Sequence, residues 1–136
     1  MKRSIAILVA LMLVLALCAT PIYANTPGYW KNHTEAWDSD VACDDEFIGG
    51  PEGFTWLNAL GTSPKGDYWY ILARAYAAAY LNGMAEWDTG AGEAVREAGQ
   101  LLEDYGPGEF VKGSEQLELA KFYATALDNW NNDIWD

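Results

Sequence analysis

The sequence predicts an all-α domain of about three long and two short helices, packed around one buried central helix. Three observations carry that reading. No segment sustains a two-residue alternation of apolar and polar side chains, so nothing reads as a half-buried strand. Three segments instead repeat apolar residues at helical spacing. One of them, Asp67 to Asn82 (DYWYILARAYAAAYLN), is apolar nearly all round, which is the pattern of a helix buried by its neighbours.

The chain opens with Lys2 and Arg3, then an apolar run from Ile5 to Ala19, then Pro21-Ile22-Tyr23-Ala24. A basic start, a short apolar stretch and a small residue at its end are the marks of a secretory signal peptide. The expected organisation is therefore residues 1–24 as leader, cleaved after Ala24, and residues 25–136 as one helical domain. Cleavage would remove two cations and one of the two cysteines. Six cations would remain against twenty acidic side chains, a net charge of −14. A surface of that sign repels nucleic acid and anionic membranes, and no further run reaches the roughly 20 apolar residues of a membrane span. Cys43 would be the lone cysteine, without an internal disulfide partner; it is expected to pack as a small hydrophobe, the alternative being a thiol free to pair with another molecule. All seven tryptophans fall after residue 24. They supply the dense burial that a domain of about 112 residues without a disulfide needs.

In chain order, Thr26-Pro27-Gly28 reads as a turn, and Asn32 as the cap of a short helix with Glu35 as its capping-box partner. Tyr29, Trp30 and Trp37 are the apolar anchors there. Asp38 to Glu46 reads as an acidic, irregular loop, and Gly49-Gly50-Pro51 as a break. Phe54 to Leu60 forms a second short helix ended by Gly61. The central helix follows, with Asp67 as N-cap and Gly83 closing it. Its five alanines at 73, 75, 77, 78 and 79 invite close packing, and Arg74 and the tyrosine hydroxyls need partners. Gly83 to Gly92 is expected to be a loop. Glu93 to Tyr105 and Ser114 to about Asn129 are the remaining long helices, the second with Leu117, Ala120, Ala124 and Leu127 as its buried stripe.

The opening Gly28-Tyr29-Trp30-Lys31-Asn32-His33, with Glu35-Ala36-Trp37 after it, resembles the GYWKNHPEAW-like motif of a family of exported bacterial and archaeal surface proteins of unknown function. Ser63 to Gly66 and the segment from Tyr68 to Asn82 resemble a second stretch of that family. The resemblance covers roughly Thr26 to Asn131 and implies an extracellular or cell-surface domain, with no established reaction. Thr34 stands where the family often has proline, which makes Asn32-His33-Thr34 a possible glycosylation acceptor. The cysteine that often precedes the family motif has no counterpart here.

Tyr29, Trp30, Lys31, Asn32, His33 and Trp37 are accordingly the candidate binding residues. Tyr29, Trp30, His33 and Trp37 are expected to act as a clasp that docks the N-terminal segment on the central helix, His33 serving as a hydrogen-bonding wedge. His33 is the one histidine, and no partner set marks it or Cys43 as catalytic. Asp38, Asp40, Asp44, Asp45 and Glu46 are oxygen ligands of the type Ca²⁺ takes, although their spacing fits no EF-hand loop. Trp130 and Trp135 are candidates for surface contact. Three functions follow as expectations: an exported non-catalytic structural or interaction module meeting a cell-surface protein or glycan; a glycan- or Ca²⁺-dependent extracellular binding domain; and, last, a small secreted hydrolase. No cofactor is expected apart from the Ca²⁺ of the second reading.

Overall fold

The structure, a computed structural model, describes residues 24–132; the expected leader, apart from Ala24, and Trp135 lie outside the described residues. It is all-helical, with no strand among the described residues and one isolated antiparallel bridge between Glu46 and Thr55. Five α-helices follow in order: α1 (Pro27–Asn32), α2 (Trp56–Gly61), α3 (Tyr68–Leu81), α4 (Gly90–Asp104) and α5 (Glu115–Asn131). Two 3₁₀ turns, Thr34–Ala36 and Met84–Glu86, join them.

α3 is the axis of the fold. It packs against each of the other four helices, most extensively against α5. Nine of its fourteen residues are buried, against five of seventeen in α5, so α3 has no solvent face to spare. Its alanines are what allow this: Ala73, Ala75, Ala77, Ala78 and Ala79 are fully covered, and neighbouring backbones come in close. Asp67 caps it, one carboxylate oxygen accepting from the Trp69 N–H at 3.0 Å and the other from the Gly108 N–H at 2.8 Å. The cap thus also pins the loop between α4 and α5. Gly83, at φ +79°, supplies the left-handed residue just past the last turn.

The aromatic part of the core centres on Phe47, which the sequence pattern left beyond the acidic loop. Phe47 is buried and sits edge-on to Phe54, Trp56, Trp69 and Tyr76, with ring centroids 4.9–6.0 Å away. That edge-to-face geometry is the favoured arrangement of aromatic quadrupoles. It is reached because the chain turns at Gly49 and returns, the Phe47 N–H donating to the Phe54 carbonyl at 2.9 Å. Gly49 is obligatory there: its φ is +67°, and a Cβ would come within 1.9 Å of the Leu102 carbonyl oxygen. The Trp69 indole N–H donates to that same carbonyl at 3.3 Å, tying the start of α3 to the end of α4.

Four local expectations need correction. Thr26-Pro27-Gly28 does not form a free turn but starts α1: Thr26 is the N-cap, accepting from the Tyr29 N–H, and Pro27 takes the first helical position, where its missing N–H costs nothing. Asn32 therefore ends a helix rather than capping one, and the Asn32–Glu35 capping box does not form; the Asn32 amide donates back to the Gly28 carbonyl at 2.9 Å. The capping box lies instead at Thr55–Asn58, so α2 begins at Trp56, after Phe54. Finally, α4 begins at Gly90, inside the stretch expected to be loop. Glycines at 90 and 92 hid that turn, yet Gly92 is required: a Cβ there would reach within 1.9 Å of the Trp87 carbonyl oxygen.

Candidate functional site

The motif residues divide into a buried half and an exposed half. Trp30 is the buried anchor at the C-terminal end of α3. Trp37 is partly covered and packs on the core, and its indole N–H donates to the Trp30 carbonyl at 2.9 Å. These two tryptophans do dock the N-terminal segment. Tyr29 and His33 do not take part in that docking. They lie one helical turn apart on the outer side of α1, stacked with ring centroids 4.5 Å apart, and both are exposed. His33 Nδ1 stands 3.0 Å from a Glu35 carboxylate oxygen, at the surface. The Glu35 carboxyl is held below its usual range by its own backbone N–H and by His33. His33 is therefore no wedge: its partner is a solvent-facing carboxylate two residues on. Lys31 is exposed and runs its stem against Gly61, whose missing side chain leaves the room. Asn32 is exposed as well.

What holds the motif is a residue that the sequence marked only as a helix end. The Asn82 side chain uses all four of its hydrogen-bonding positions. Its oxygen accepts from the Asn25 backbone N–H at 2.8 Å and from the Trp30 indole N–H at 3.0 Å. Its amide nitrogen donates to the Asn25 carbonyl at 2.9 Å and to the Asn131 side-chain oxygen at 3.0 Å. Asn131, fully buried near the end of α5, passes the chain on by donating to the Ala75 carbonyl at 3.0 Å. One amide thus joins the N-terminal segment, α3 and α5. A lone Asn after a helix gives no local signal of this, because its partners are distant in sequence.

The acidic loop behaves differently. Asp38, Asp40, Asp44, Asp45 and Glu46 do not gather into a ligand set; among the described residues no three His, Cys, Asp or Glu side chains come together as a metal site. The local structure spends some of them singly. Asp45 accepts from the Ala42 N–H at 2.7 Å, and Asp40 accepts from the Tyr80 hydroxyl at 2.8 Å. The Asp40 bond is the leading reason that the Tyr80 hydroxyl titrates above its ordinary range. Cys43 forms no disulfide among the described residues and is half-buried, not fully packed as expected.

Elsewhere, the Arg74 guanidinium donates to the Thr62 carbonyl at 3.3 Å, while its Nε is buried without a hydrogen-bond partner. Burial pushes the Asp128 carboxyl up, and Arg74 partly offsets this. Tyr76 is raised too, chiefly by burial, under the aromatic cluster. Trp130 is half-buried and lines a shallow hollow with Phe122, Tyr123 and Ala126, so it is less available for surface contact than its position near the chain end suggests. No described helix is long and apolar enough to cross a membrane. No family model, no curated protein and no solved structure matches the chain.

Proposed function

We propose that this chain is an exported, non-catalytic module that works at the cell surface by binding or structural support. One observation carries the reading most. Asn25 and Asn131, near the two ends of the described residues, meet at the same Asn82 side chain. A domain closed in this way is fixed as one body, with Asn25 and Asn131 drawn to one place, which suits a module held beside other surface components. The buried polar groups here serve to hold the helices together. The leader-like opening residues and the resemblance of the Gly28–Trp37 motif to exported surface proteins support the same reading. The exposed Tyr29–His33 stack, set on the buried Trp30, gives such a module a rigid projecting feature.

Expression in a secreting host tests this. The expected outcome is protein outside the cytoplasm whose mass begins at Asn25, and which sediments with purified cell envelopes. Protein retained inside cells with Met1 or Lys2 still present would overturn the export reading. A second reading, a glycan-binding domain, is favoured by a groove lined with lysines and aromatic rings at the start of α3.

A further inference from the structure

We infer that the groove between the start of α3 and the loop before α5 binds an acidic saccharide, through carboxylate groups on the sugar. The inference rests on the glycan-binding form of the reading above and names its site and ligand class.

Charge distribution is the first observation. Only six cations follow residue 24, against twenty acidic residues, yet three of the six, Lys65, Lys112 and Lys121, line this one groove. Two of them are unspent: Lys65 and Lys112 are exposed, and among the described residues neither forms an ion pair. Lys121 is shared between Glu118 at 3.6 Å and the face of Tyr68, 5.5 Å from its ring centroid. The one carboxylate in the lining, Asp67, is committed on both oxygens to the backbone N–H groups of Trp69 and Gly108. It therefore offers the lysines less competition than its charge suggests.

The second observation is backbone conformation. Lys65 has φ +47°, and it is the sole non-glycine residue at positive φ among the described residues. It shares a turn with Gly66, at φ +82°, closed by the Asp67 N–H donating to the Pro64 carbonyl at 2.9 Å. A left-handed conformation is costly for a residue with a Cβ, and such outliers concentrate where function needs them. Glycine would make this turn without strain. A lysine held there keeps a cation at the rim of the groove.

Shape and lining supply the third. The groove has a volume of about 550 Å³, within the range of small-ligand sites. Tyr68 and Phe110 give it half-buried aromatic surface, and ring faces of that kind pack against the C–H faces of sugars. Its cations are all lysines, compact point charges that pair with single anionic groups one at a time. The strongly negative remainder of the molecule repels duplex nucleic acid, which carries one charge per about 1.7 Å of axis, more strongly than a uronate chain with one carboxylate per sugar ring.

The test is titration of the purified chain with an oligogalacturonate, monitored by calorimetry. A fully methyl-esterified oligomer, an oligoglutamate and an oligothymidylate of matched length serve as competitors. The expected result is binding of the oligogalacturonate alone, weakening with added salt. Lys65→Gln or Lys112→Gln should each weaken it about two- to fivefold, and the pair about tenfold. Lys112→Arg should retain binding. Lys65→Gly provides the check that folding is not the cause: it should melt no lower than wild type and still bind more weakly. Absence of binding, equal binding of the ester, equal binding by the double variant, or preference for the peptide or the oligonucleotide would each overturn the inference. The titration needs no export. Binding by a protein that stays inside the cell would leave the groove assignment standing and remove only the surface role.

Discussion

The Asn82 network and the loop from Asp38 to Glu46 are both dense in polar groups, and they meet opposite fates. Around Asn82, five hydrogen bonds join side chains and backbone from the N-terminal segment, α3 and α5, and Asn131 is fully covered. In the acidic loop the carboxylates face outward, and those with partners are used one at a time. The difference lies in whether an apolar anchor closes over the polar group. Trp30 is buried and covers one side of the half-buried Asn82, which limits competing water and makes each bond there worth more and each loss expensive. Nothing of that size covers Asp44 or Asp45. Neutral amides also tolerate burial when every lone pair and N–H is matched, whereas a cluster of carboxylates would have to surrender its hydration without a cation.

This contrast predicts a gradient of stability effects. The largest belongs to Trp30→Ala, which removes the seal as well as the indole donor. It should cost about 3–5 kcal/mol, the range of large aromatic truncations in cores, measured as a fall in the denaturant midpoint. Next comes Asn82→Ala. It leaves the Trp30 indole N–H, the Asn25 backbone and the Asn131 side chain seeking partners, and should cost about 2–4 kcal/mol. A double-mutant cycle with Asn131→Ala should show strong coupling, because the two amides share one bond. Additive effects would break the picture of a single network. The smallest is His33→Ala. Its side chain stands half in solvent and its partner Glu35 is more exposed still, so the melting temperature should shift by less than the equivalent of about 0.5 kcal/mol. A large loss there would return His33 to the clasp and make the exposed half of the motif structural.

Much of the fold was legible because its signals are local. The central helix announced itself through an apolar run without Gly or Pro, an Asp cap and a glycine after its end, and it appears as α3 with that cap in place. The stripe of α5 was equally plain, since it depends on residues within four positions of one another, and the structure adds Ser114 as its cap. The first turn of α4 was obscured by two glycines. Propensity argued against helix there, while the tertiary need for the Trp87 carbonyl to approach Gly92 argued for it and prevailed. The cap between Asn32 and Glu35 failed for a related reason. The Thr26-Pro27 start claimed Asn32 for the end of α1 and left Glu35 in the 3₁₀ turn that follows.

The sequence by itself determined that this protein is helical, where its long helices lie, and which of them is buried, because periodicity, capping and composition act over a few residues. Only the tertiary structure decided which side chains meet. Asn82 reaches Asn25, Trp30 and Asn131 across 57, 52 and 49 positions of chain. Phe47 becomes the centre of the aromatic core only once the turn at Gly49 folds it back beneath Trp56 and Trp69. Three lysines spread from residue 65 to residue 121 become one groove only when the start of α3 packs beside the loop that leads into α5. Contacts of this kind depend on how whole helices close on one another, and no window of local sequence contains that information.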